Sequence, residues 1–177
     1  MNMKKIALFA VGGIVLLVAA VLGIGALVPQ DHVASRSARY AQPPEVVWEA
    51  ITDYEAFPSW RSGVDDVEPL ATAGATGWVE RGPMGALPLA VEESSPPRRL
   101  VLRIASDDLG FGGTWTYEIV PDGRGSMLTI TENGTVTNLF FRFMSRFVFG
   151  YTATIEGYLL DLGRKLGEET AILSNGG

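Results

Sequence analysis

Between residues 32 and 137 apolar and polar side chains mostly alternate, and from residue 138 the apolar positions change to three- and four-residue spacing. The alternation predicts strands over 32–40, 64–72, 76–82, 87–94, 99–106, 113–121 and 126–137, separated by Gly, Pro, Asp and Ser. Pro121-Asp122-Gly123-Arg124-Gly125 is the clearest hairpin turn among them. Within the strands one face collects Leu87, Leu89 and Val91, then Leu100, Leu102 and Ile104, then Trp115, Tyr117 and Ile119, and finally Leu128 and Ile130. The same parity turns Glu132 inward. After Asn138, an N-cap residue type, a terminal helical run reaches about residue 169, with a bend expected at Gly150. Its second half places Ile155, Tyr158, Leu159, Leu162 and Leu166 along one stripe. Its first half is apolar nearly all round except for Arg142 and Arg146. The pattern predicts an α+β domain, a curved antiparallel sheet closing around one long C-terminal helix.

Two shorter helical stretches interrupt the alternation. Pro43 and Pro44 open the first, with Val47, Trp48, Ile51 and Tyr54 at helical spacing, and Asp53 is placed to cap a second that carries Phe57. The run from Pro43 to Trp60, PPEVVWEAITDYEAFPSW, resembles the opening of the polyketide cyclase/dehydrase and lipid-transport proteins, part of the START and birch-pollen-allergen-like (SRPBCC) superfamily. The resemblance extends through the strands to the last helix. It implies a helix-grip fold, in which the long terminal helix packs across the sheet with a cavity between them. It implies no particular catalytic residue.

Residues 6–28 carry no charge and no strongly polar side chain, and as a helix they are long enough to cross a hydrocarbon core of about 30 Å. The apolar run exceeds a secretory signal's usual core, and no good small-x-small cleavage site follows it. The sequence therefore predicts an uncleaved single-pass membrane anchor over 1–30, a helix-grip domain over 31–170 and a flexible tail over 171–177. Lys4 and Lys5 before the span favour a cytoplasmic N-terminus, which would leave the domain on the extracytoplasmic side of the cell membrane.

Charge and composition narrow the function. The chain of 177 residues has a net charge of −6, and without Lys4 and Lys5 the remainder holds 12 basic against 20 acidic groups. An acidic domain argues against nucleic acid as a partner. With no cysteine and a single histidine, His32, the sequence offers neither a thiolate metal site nor a Ser-His-Asp triad, and no motif in it requires a metal or cofactor. His32 itself reads as a solvated residue beside the membrane.

What remains is an apolar pocket. Trp60, Trp78, Trp115 and Tyr117, with Leu102 on the sheet and Ile155 and Leu159 on the helix, are the side chains expected to touch a ligand, or else to pack as core. Glu132 either orients such a ligand, acts as a general acid or base, pairs with Arg103 or Arg142, or stands in solvent at the strand end. Glu80, which alternates with Trp78, is a second inward carboxylate. Arg142 and Arg146 sit either at a lipid surface or in solvent. The expectation is a membrane-anchored binding protein for a hydrophobic small molecule or lipid. The alternatives are a cyclase/dehydrase-like enzyme and an interaction module whose cavity has collapsed.

Overall fold

The computed structural model describes residues 3–71 and 74–174, with side chains from residue 9 onward. Helix α1 (Met3–Leu27) leads into β1 (Asp31–Tyr40), α2 (Pro44–Thr52) and a 3-10 turn (Tyr54–Ser59). Six strands follow: β2 (Asp66–Pro69), β3 (Gly77–Gly82), β4 (Gly85–Ser95), β5 (Arg99–Ile104), β6 (Phe111–Asp122) and β7 (Gly125–Val136). Helix α3 (Leu139–Met144), a π-helical turn (Ser145–Phe149), helix α4 (Ala153–Lys165) and β8 (Ile172–Ser174) complete the order.

Among the described residues the eight strands form one antiparallel sheet in the order β2-β3-β4-β5-β6-β7-β1-β8. The β6–β7 hairpin is its spine, with pairing that runs unbroken from Asp122 opposite Gly125 to Phe111 opposite Val136. A bulge in β4 between Val91 and Glu93 shifts the register against β5, which bends that strand and deepens the sheet's curvature. The expected strand over 64–72 is shorter, because it ends at Pro69; Thr72 lies outside the described residues.

Helix α4 lies across the concave face. Ile155, Leu159 and Leu162 are fully buried against Ala38 of β1, Ile119 of β6 and Leu128 and Ile130 of β7. Val47 and Ile51 of α2 and Phe57 of the 3-10 turn close the same core. Each such side chain gains roughly 1.5–3 kcal/mol from burial. The Tyr40 hydroxyl donates to the Leu159 carbonyl oxygen at 2.9 Å, tying β1 to the middle of α4. On the convex side the Ser and Thr residues of β1 and β7 pair across strands, Ser35 with Thr131 at 3.0 Å and Ser37 with Thr129 at 2.7 Å.

The terminal helix is broken into pieces rather than continuous. Asn138 caps α3 as expected, its Oδ1 accepting from the Phe141 N–H at 3.1 Å. The π-helical turn and Gly150, at φ +76°, then redirect the chain before α4 begins; a left-handed φ is one that glycine adopts without a Cβ penalty. Asp53 precedes the 3-10 turn without making a side-chain cap. The tail expected to be flexible from residue 171 instead contributes β8, which pairs with Arg36–Ala38 of β1. Residues 175–177 of that tail, and Met1 and Asn2 at the other end, lie outside the described residues.

Candidate ligand cavity

Between the sheet and the joint of α3 and α4 lies a cavity of about 480 Å³, within the range of small-molecule sites. Leu87, Leu89, Leu102, Ile104 and Trp115 supply its sheet wall, and Phe140, Phe141, Met144, Phe149 and Tyr151 supply the helical one. The space lies at the break in the terminal helix: α4 shares the core with β1, β6 and β7, while side chains of α3 and the π-helical turn face Leu87, Leu89, Leu102 and Ile104 across the opening.

Two polar groupings interrupt this apolar lining. At one end Arg61, which follows the 3-10 turn, forms an ion pair with Glu80 of β3, and the Trp78 indole N–H donates to the same carboxylate oxygen at 3.1 Å. The guanidinium lies 4.9 Å from the Phe57 ring centre and 4.7 Å from that of Tyr158, a cation held between aromatic faces. Burial pulls the Arg61 pKa down, but the facing Glu80 carboxylate and the nearby Tyr158 outweigh it and leave the value above that of a free arginine. Tyr117 and Tyr158 meet edge to face with 5.5 Å between ring centres. Desolvation drives the Tyr117 hydroxyl well above its ordinary pKa and raises that of Tyr158 too, so both stay protonated and able to donate.

The second grouping is His32 with Glu132. Their side chains face each other across β1 and β7, Nε2 to Oε1 at 3.6 Å, and the imidazole stacks on Tyr151 at 4.1 Å. Desolvation raises the Glu132 pKa, opposed by a hydrogen bond from Trp115. Desolvation likewise lowers the His32 pKa, opposed by Asp31. Burial thus favours the neutral form of both, and a neutral acid beside a neutral imidazole can exchange a proton or hydrogen-bond a ligand's polar group.

Of the side chains expected to touch a ligand, Leu102, Trp115, Tyr117 and Glu132 line the cavity, and the other four do not. Trp78 is buried beneath Tyr54 and Phe57, and Trp60 packs between Phe57 and Tyr158. Ile155 and Leu159 are consumed by the α4 core contact. Glu132 pairs with neither Arg103, which binds Glu92, nor Arg142. The latter is buried, and its guanidinium donates to the Val136, Val28 and Thr137 carbonyls at 2.8, 3.3 and 3.1 Å, so it is neither solvated nor free for a lipid phosphate. Arg146 alone of that pair is exposed. Two groups at the cavity were missed, Arg61 and His32. His32 is 11% exposed rather than solvated. The signal for it was present, since it shares the inward parity of Ala34, Ala38 and Tyr40. Arg61 follows an irregular turn with no periodicity to aim it.

A family described as polyketide cyclase / dehydrase and lipid transport matches residues 31–156. No curated protein matches the sequence at a significant level. Several solved structures share the fold. A START superfamily protein from Mycobacterium smegmatis is 19% identical, with 77% of this chain and 94% of that one covered at a TM-score of 0.56. The Zhui aromatase/cyclase from a Streptomyces species is 11% identical, with the same coverage and a TM-score of 0.61. A norcoclaurine synthase point mutant from Thalictrum, in complex with a transition state analogue, is 12% identical, again over 77% and 94%, with a TM-score of 0.60. These identities bear on architecture alone. An antiparallel sheet gripping a C-terminal helix, with a cavity between them and a family match across the domain, makes this chain a member of the polyketide cyclase/dehydrase and lipid transport family.

Proposed function

We propose that the chain is a membrane-anchored binding protein that holds a hydrophobic small molecule or lipid in the cavity between sheet and terminal helices. The observation that carries this reading is the cavity itself, apolar along most of its walls, with its carboxylates, guanidinium and imidazole gathered at Arg61–Glu80 and His32–Glu132. Transfer of apolar ligand surface into it is worth roughly 25 cal/mol per Å² before ordering costs. The polar groupings would fix orientation. The open space between Trp115 and the α3–α4 joint argues against a collapsed interaction module. Phe9–Leu27 of α1 has a mean hydropathy of 2.6 and is almost wholly exposed, which supports a role as the anchor, and Lys4 and Lys5 before it favour the extracytoplasmic side for the domain. Native mass spectrometry of the purified full chain, followed by organic extraction, tests the reading. A stoichiometric apolar ligand is expected, and an empty protein that also fails to take up lipids or aromatic compounds would refute it.

A second reading, a cyclase- or dehydrase-like enzyme, is favoured by the two acid–base groupings that face one cavity. Under it, Glu132→Gln abolishes turnover and leaves ligand bound. Under the binding reading the same change alters affinity only.

A further inference from the structure

The end of α1 is built into the domain at the cavity's mouth. An ideal Cβ on Gly25 would stand 2.2 Å from the Leu139 carbonyl oxygen, so only glycine lets α1 approach the start of α3 this closely. Arg142 of α3 then reaches back to the Val28 carbonyl at 3.3 Å, and the Val136 N–H donates to the Gln30 carbonyl oxygen at 2.9 Å. The span and the helical wall of the cavity therefore form one unit, and the depth of α1 in a bilayer sets the height of α3 above it.

At that height the surface is apolar. Phe147, Val148 and Phe149 of the π-helical turn are 58%, 57% and 64% exposed, and Phe140 of α3 is close behind. Phe140, Phe141 and Phe149 line the cavity as well, so they are its rim. The opposite lip is Met84 at the tip of the β3–β4 hairpin, which also lines the cavity and is almost fully exposed. Arg146 stands exposed among these rings, a long cation able to reach headgroup oxygens while its neighbours insert.

We propose that this rim, the π-helical turn with Phe140 on one side and Met84 on the other, is seated in the surface of the bilayer that α1 spans. The cavity then opens toward lipid rather than water, and its ligand is a bilayer-resident apolar molecule that enters without crossing the aqueous phase. This inference rests on the anchored binding reading given above and adds the route.

The chain contains no cysteine, so single labelling sites can be introduced without background. Val148→Cys at the rim, Val18→Cys in the span and Arg124→Cys in the β6–β7 turn, at the far end of β7 from α3, are each labelled with an environment-sensitive fluorophore. The full chain is then reconstituted in phosphatidylcholine vesicles containing spin-labelled lipid. Seating predicts a blue shift and quenching at 18 and 148, and an aqueous spectrum at 124. Quenching at 18 with an aqueous label at 148 overturns the seated rim and leaves the anchor intact. Aqueous labels at both positions overturn anchor and rim together, and quenching at all three marks nonspecific adsorption and overturns the rim. None of these results depends on cavity occupancy, so extraction of an empty protein would refute the binding reading without being mistaken for a failure of seating.

Discussion

The Ser62 backbone N–H donates to Asp161 Oδ2 at 2.6 Å, and the Ser62 hydroxyl to Oδ1 at 3.1 Å. This joins the loop after the 3-10 turn to the buried face of α4. Arg61 is the neighbouring residue, so the C-terminal helix determines where the cavity's cation sits. Asp161→Ala removes both hydrogen bonds to a buried side chain, and a loss of about 1–3 kcal/mol is expected. Chemical denaturation measures that loss, and Arg164→Ala, which removes only the exposed partner of Asp161, should cost less than about 1 kcal/mol.

The Arg61–Glu80 pair gives a sharper test, because breaking a buried pair differs from replacing it. Arg61→Met strands the Glu80 carboxylate beside the Trp78 indole and should cost about 3–5 kcal/mol. Combining it with Glu80→Leu should recover most of that loss. A double variant as unstable as the single one would mean that the guanidinium contributes mainly through Phe57 and Tyr158.

Arg142→Met removes the donor shared by the Val28, Val136 and Thr137 carbonyls. Destabilisation of roughly 2–4 kcal/mol is expected. The junction between α1 and the domain should also become open to protease, which limited proteolysis of the reconstituted chain would read. Unchanged cleavage near residue 28 would count against the clamp.

Glu132 makes stability depend on pH in a defined direction. Burial raises its pKa above 4.5, so the folded protein holds this proton where the unfolded chain has released it. The stabilisation is therefore complete below about pH 4.5 and is lost as pH rises through the folded value. Glu132→Gln cannot ionise, so its melting temperature relative to the parent should rise between about pH 4 and pH 7. A flat difference would show a carboxylate as well solvated as in the unfolded chain, and one that falls with pH would show its ionised form held by a partner such as His32.

Filling the cavity should abolish binding without unfolding the domain. Leu102 lines the cavity from β5, and Leu102→Trp projects a larger ring into the open space, so overpacking should cost no more than about 1–3 kcal/mol. Loss of the extracted ligand with an intact melting transition is the expected result.

Much of this architecture was legible in the sequence, because period-2 alternation over seven stretches and a three- and four-residue stripe after Asn138 admit few arrangements. The opening helical run from Pro43 to Trp60 carried the family resemblance, and the inward parity of Leu102, Trp115, Tyr117 and Glu132 followed from strand geometry alone. Parity says which way a side chain points but not what it meets. Trp78 shares its parity with cavity residues and still packs under Tyr54, while Ile155 and Leu159 have the right stripe and are used up by β1 and β7. The tie between Asp161 and Ser62 and the docking of Gly25 on Leu139 join residues far apart in the chain. Local periodicity contains no record of such contacts. The sequence by itself determined the sheet, the inward face, the apolar span and the bend at Gly150; tertiary packing decided how α3 and α4 sit against the sheet on either side of that bend, and with it which inward side chains face a cavity rather than a core.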